Sequence, residues 1–178
     1  MKGKHRISAV ARAAGTTVHA IHNALKHGHI ELENQDDDRV LKLLTDRDAL
    51  AVFAFVVSVK WAGFPPGHPA GRRFASEVLE DLELFHAEGV PAAFARDRRF
   101  VVAELWGHVA DPDNDTDPEE DKRDHWSLRL KMDRSGLRRV IDGDPESEPL
   151  PPTLGVIELD TVAIWKMVEG SGLFRSGQ

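Results

Sequence analysis

A chain of 178 residues, 41% hydrophobic and 30% charged, is long enough for one domain or two small ones and apolar enough to build a core. It has no cysteine, which excludes a disulfide framework and thiolate metal sites. Its net charge of -7 is unevenly spread: residues 1–30 hold five basic side chains and no Asp or Glu, whereas the rest carries -12 from 18 basic and 30 acidic residues, so one end suits a polyanion and the remainder repels it.

Ile7, Val10, Ala11 and Ala14 recur at the spacing of one helical stripe, and Gly15 ends that helix because glycine enters the left-handed conformation at little steric cost. Thr16 or Thr17 can cap a second helix through its hydroxyl. Its apolar stripe is Val18, Ile21 and Leu25, and Gly28 stops it. Helices this short do not form alone in water, so the pair must fold against each other and a third element. The pattern is a helix-turn-helix, whose second helix presents Thr17, His19, His22, Asn23 and Lys26 outward. The basic start lacks the apolar core of a secretory leader, and the most apolar run, residues 49–59, is too short to span a bilayer. A cytoplasmic protein with no membrane partner is expected.

Residues 29–44 predict a hairpin with a polar tip, Glu33-Asn34-Gln35-Asp36-Asp37-Asp38, and a return limb, residues 40–44, suited to a strand. The three Asp would repel phosphate if the tip pressed on a nucleic-acid backbone, and Arg39 and Lys42 partly offset them. Thr45 then starts a helix as its cap, with Asp48 as the acidic member of a capping box. That helix carries Leu50, Phe53, Val57 and Trp61 and stops at Gly63, before Pro65-Pro66.

A helix-turn-helix, a hairpin wing, a helix opening on Thr-x-x-Asp and ending in Gly-Phe, and a further helix together resemble the DNA-binding domain of MerR-type transcriptional regulators, over residues 6–88. The matching residues are Ile7, Val10, Ala11, Gly15, Ile21, Gly28, Ile30, Thr45, Asp48, Leu50 and Gly63-Phe64, with Lys42 where the family's wing usually carries an Arg. The family usually has an Arg-Tyr pair in the recognition helix, where this chain has His22-Asn23, and its wing is seldom this acidic. Shorter excisionase-like relatives of the winged fold also fit residues 7–44. The resemblance implies a winged helix-turn-helix in residues 1–68 and a linking helix in residues 69–90 that pairs two subunits. In that helix Ala75, Val78, Leu82 and Phe85 follow the 3-4-3 spacing of a coiled-coil seam over about two heptads, which suits either an amphipathic helix lying on its own domain or the dimerisation residues of a homodimer. The homodimer is the expectation, because a two-fold operator needs a two-fold protein.

Past Gly89-Val90-Pro91 the period changes from helix to strand. Residues 99–106 form an apolar run, and Trp126, Leu128, Leu130 and Met132 alternate with polar residues. Residues 156–159 predict a third short strand, and Asp160 or Thr161 caps a last helix carrying Val162, Trp165 and Val168 and closed by Gly170. Residues 91–178 thus predict a small antiparallel sheet with one covering helix, drawing its core from Phe100, Val102, Trp106, Leu128, Leu130, Ile157, Leu159 and Trp165. The fold class expected for the whole chain is α+β.

Two loops interrupt this sheet. Asp111, Asp113, Asp115 and Asp117 alternate as calcium ligands do, but Pro118 stands where such a loop needs glycine, so a solvated loop is the better reading. The second, residues 142–153, reads as a proline-rich spacer. His108, His125 and the Asp-rich loop could serve a metal-assisted hydrolase. No phosphate cradle, nucleophile elbow or His-Glu-x-x-His helix accompanies them, so neither enzyme activity nor a cofactor is expected. The C-terminal residues could instead receive a small-molecule or protein effector.

These observations converge on a sequence-specific transcriptional regulator that binds double-stranded DNA, with a recombination or DNA-architecture factor of the excisionase kind as the alternative. His19, His22, Asn23 and Lys26 would face bases or phosphates, Asn23 being suited to bidentate adenine recognition. Arg6, Arg12, Arg39 and Lys42 would hold the backbone. His19 and His22 are near enough to share a metal, but they stand in the acid-free segment with His27 and His29, where imidazole suits phosphate or a base edge. Imidazole titrates near about pH 6.5, so DNA binding at fixed salt should be tighter at pH 6 than at pH 8. Affinity that stays flat across that range would remove the histidines from the interface.

Overall fold

The computed structural model describes residues 4–33, 43–92, 100–106, 125–132 and 153–174, with side chains described in all of these except 100–106, 125–132, 153–156 and 158. Within them the chain is α+β: helices combine with a two-stranded and a three-stranded antiparallel sheet.

Strand β1 (Lys4–Arg6) runs directly into α1 (Ile7–Ala13), which buries Ile7, Val10 and Ala11. Gly15, at φ 69°, closes α1: its N–H donates to the Arg12 carbonyl and the Thr16 N–H to the Ala11 carbonyl, so two carbonyls left over at the helix end are satisfied by one left-handed residue. Thr17 caps α2 (Val18–Lys26), its hydroxyl accepting the Ala20 N–H at 3.1 Å. Gly28, at φ 66°, repeats the same closure, with Gly28 donating to Leu25 and His29 to Ala24. Both glycine stops and the Thr17 cap fall where the sequence places them.

The expected hairpin is altered. Its return limb ends in a strand, β2 (Leu43–Thr45), but β2 pairs with β1, Lys4 opposite Thr45 and Arg6 opposite Leu43. Residues 29–33 form no strand. The backbone groups explain why: the turn after α2 commits the His29 N–H to Ala24, Ile30 sinks into the core, and the Glu33 N–H donates to the Asp48 carboxylate at 2.9 Å. The tip, residues 34–42, lies outside the described residues, and Arg39 and Lys42 with it.

Helix α3 (Asp46–Val56) opens on the predicted capping box. The Thr45 hydroxyl accepts the Asp48 N–H at 3.1 Å, and the Asp48 carboxylate accepts the Thr45 N–H at 3.2 Å. Asp48 is only 1% exposed, and the same carboxylate also holds the Glu33 N–H. Seven apolar residues of α3 are buried, on two sides. Ala49, Ala51, Val52 and Val56 pack with Ile7, Val10, Ile21 and Leu44, whereas Leu50, Phe53 and Ala54 pack with the later helices. A π-helical turn (Val57–Trp61) extends α3, and Trp61, read from the sequence as part of the apolar stripe, is 46% exposed because the wider turn carries it off that face. Gly63, at φ 77°, ends the helix as predicted.

Helix α4 (Pro69–Glu88) begins where the linking helix is expected and ends two residues before residue 90. It approaches the chain before it closely: a Cβ on Gly71 would stand 2.7 Å from the Phe64 Cβ, and the buried Ser58 hydroxyl donates to the Gly71 carbonyl at 2.8 Å. Of the expected seam, Val78 and Leu82 are 0% and Phe85 1% exposed within a single chain, where they share a core with Phe53, Phe74 and the last helix. Ala75 is partly buried beside them and borders a hollow with Gly28 and His29.

In the three-stranded sheet, β3 (Phe100–Trp106) lies between β4 (His125–Met132) and β5 (Thr153–Asp160), antiparallel to both. Asp160 caps α5 (Thr161–Gly170) by accepting the Val162 and Ala163 N–H groups, each at 3.1 Å. Val162, Ile164, Trp165 and Val168 enter the core formed by α3 and α4, with Ile157 and Leu159 of β5 packed against it. The boundary expected after residue 90 therefore does not set α5 apart. Of the expected core residues in this part, Phe100, Val102, Trp106, Leu128 and Leu130 lie outside the described side chains. No helix among the described residues is long and apolar enough to cross a membrane.

Two measurements check this packing. Asp48→Ala strands the Glu33 and Thr45 N–H groups and should cost about 2–4 kcal/mol in urea unfolding, against about 1 kcal/mol for Thr45→Ala; equal costs would deny Asp48 its hold on the Glu33 N–H. Leu82→Ala should cost about 2–5 kcal/mol and leave the concentration dependence of the unfolding midpoint the same as in the unaltered protein. A substitution that changed that dependence would place Leu82 between subunits.

Candidate nucleic-acid interface

The outward face of α2 follows from its inward one. Ile21 and Ala24 are buried and Val18 and Leu25 partly so, which fixes the helix's rotation about its axis. His19, His22, Asn23 and Lys26 stand at i, i+3, i+4 and i+7, hence on one stripe, and all four are exposed. Thr17 is exposed at the head of this helix. Its hydroxyl oxygen already accepts the Ala20 N–H, which leaves its proton free to donate to a phosphate.

Within the stripe Asn23 is already oriented. Its side-chain amide nitrogen lies 3.1 Å from His19 Nε2, so the amide donates one N–H and the imidazole accepts it in the tautomer protonated at Nδ1. The second amide N–H and the carbonyl oxygen stay available, and they are the donor and acceptor that adenine N7 and N6 require. Using His19 in this way also occupies the nitrogen it would need to share a metal with His22. Among the described residues no group of three or more His, Asp or Glu could hold a metal ion.

The other expected cations frame the stripe. Arg6 ends β1 and Arg12 lies in the last turn of α1; both are exposed, and neither they nor Lys26 form an ion pair among the described residues. Acidic residues are engaged elsewhere. The Asp46 carboxylate meets His5 Nε2 at 2.6 Å and His86 Nε2 at 3.6 Å, with Phe174 edge-on to both imidazoles, and Arg47 pairs with Glu83 at 2.9 Å. The last pair is largely exposed and contributes little stability.

Two cations near this region are invisible to a reading of the sequence. Lys60, on the π turn, donates its ammonium to the Gly15 carbonyl and so holds the turn between α1 and α2. Arg72, on α4, borders a hollow shared with Gly28 and His29. Each is far from residues 1–30 in the chain and comes near only because α3 and α4 fold back over them. The signal that could have found Lys60 is weak: a lone Lys near the end of an otherwise apolar run.

The resulting surface is a short polar helix face with no acidic residue on the helix itself, preceded in the chain by the exposed Arg6 and Arg12, a chemistry suited to phosphates and base edges. Of the residues proposed from the sequence, Arg6, Arg12, Thr17, His19, His22, Asn23 and Lys26 share the β1–α1–α2 segment and are all exposed. His108 lies outside the described residues, as does the side chain of His125. No family model, curated protein or solved structure matches this chain.

Proposed function

We propose that the protein binds double-stranded DNA sequence-specifically and regulates transcription, as a winged helix-turn-helix protein of MerR-like type with α2 as the recognition helix in the major groove. The observation that carries the reading is the exposed stripe His19–His22–Asn23–Lys26 on a helix anchored from behind by Ile21 and Ala24, within a segment free of acidic residues. A helix so anchored can present base-reading groups at a fixed angle, and the cost of ordering them has been met before DNA arrives.

In this reading Asn23 reads a base, its amide set by His19, and Lys26 and His22 meet the groove edge or a phosphate. Arg6, Arg12 and Thr17 hold the backbone beside α1 and the turn, and Arg39 and Lys42 do so from the wing. A two-fold site calls for two copies, and a homodimer would have to join through residues other than Val78, Leu82 and Phe85, which are already covered.

The test is a salt-titrated binding assay on genomic fragments with three proteins. Lys26→Ala should weaken all sequences alike and reduce the salt slope by about one, whereas Asn23→Ala should relax specificity at one base pair, a loss of about 1–3 kcal/mol there. The same effect from both substitutions would defeat the role assignment. No salt-dependent binding by the unaltered protein would defeat the function.

A further inference from the structure

Beside the recognition helix lies a cavity of about 320 Å³, bounded by one flank of α2, the end of α3, the π turn and Pro66. Its walls are mainly apolar, with Ala24, Phe55, Val56 and Val59 among them. Its polar groups have one character. Lys60, Asn23, His27 and His29 can donate hydrogen bonds, and no Asp or Glu lines the cavity. In a chain with net charge -7, a hollow bordered by a lysine, two imidazoles and no carboxylate is the exception. Contrast the hollow at the base of the wing, which Glu33, Asp46 and Glu83 border.

We propose that this cavity binds a small amphipathic anion, a flat apolar body carrying one carboxylate, whose charge pairs with Lys60. The volume suits a ring system of one or two rings, at the lower end of the range for ligand cavities. His27 and His29 stack at 5.7 Å, with 26° between their planes, and His29 sits so close to Gly67 that a Cβ there would stand 2.3 Å from its ring, so this rim is held in place from outside. Lys60 already donates to the Gly15 carbonyl. A carboxylate in the cavity competes for the same ammonium. Occupancy therefore loosens the tie that holds the turn between α1 and α2 and changes how α2 is seated, and since Asn23 borders the cavity and belongs to the proposed DNA face, the ligand would regulate DNA affinity. That consequence rests on the DNA-binding reading above, but occupancy itself does not.

The test uses the full chain without DNA and three probes of one shape: 2-naphthoate, neutral 2-naphthalenemethanol and cationic 2-naphthylmethylamine, followed by calorimetry. The anion is expected to bind saturably, about tenfold more tightly than the alcohol, with the amine weakest. Lys60→Met should bring the anion down to the alcohol's affinity and Lys60→Arg should restore most of it, while Lys166→Met, which removes an exposed cation on α5, should change nothing. Circular dichroism of each variant verifies that it is folded. In a nitrogen-correlated spectrum the anion should shift the Thr16 amide, which shares its peptide group with the Gly15 carbonyl, and this shift should vanish in Lys60→Met. Equal affinity for the three probes, no saturable binding at millimolar anion, or an unchanged anion affinity in folded Lys60→Met would each overturn the proposal. With anion binding established, a DNA affinity that the anion leaves unchanged would overturn the regulatory coupling alone, and absence of DNA binding altogether would count against the proposed function and not against the site.

Discussion

A helix that is apolar on two faces must be covered on two sides, and α3 is that helix. Ala49, Val52 and Val56 on one side and Leu50, Phe53 and Ala54 on the other leave it no face for water beyond its ends and a narrow strip. Neither layer that covers it could stand alone. The α1–α2 pair is too short to fold without Val52 and Val56 beneath it, and α4 and α5 meet over Leu50 and Phe53. The polar beginning of α3 is equally shared, since Asp48 satisfies its own helix, β2 and the Glu33 N–H with one carboxylate. The buried charge is tolerable because its oxygens accept backbone N–H groups, which replace the water it has lost.

This arrangement also fixes how α2 is presented to solvent. A helix of nine residues is held at a fixed rotation by Ile21 and Ala24, closed at both ends by local hydrogen bonds and tied at the preceding turn by Lys60. What remains exposed is nearly all polar. The same construction leaves a mainly apolar hollow beside α2, where Ala20 and Ala24 are too small to fill the space next to Phe55 and Val59.

The seam on α4 illustrates how spacing and partner differ as information. Val78, Leu82 and Phe85 needed an apolar partner, and the 3-4-3 period stated that need without saying whether a second chain or a later helix would meet it. Here α5 meets it. Ile164, Trp165 and Val168 arrive from about eighty residues downstream, a distance at which helical periodicity carries no signal. Supplying the partner from the same chain avoids the loss of translational freedom that association with a second copy would bring.

Local chemistry determined what the sequence by itself could state. The stops at Gly15, Gly28 and Gly63, the caps at Thr17, Thr45 and Asp160, the start of α4 and the antiparallel strands of the C-terminal part were all legible, because each depends on backbone conformation or hydrogen bonds within a few residues. The outward stripe of α2 was legible too, since helical geometry places i, i+3, i+4 and i+7 together wherever the helix sits. Tertiary structure alone decided the rest: that β2 pairs with β1 and not with residues 29–33, that α5 covers the supposed seam, and that Lys60 reaches Gly15 across 45 positions. In each of these an unsatisfied backbone group or apolar face had several partners within reach of the chain, and only the way α3 is packed on both sides selected one.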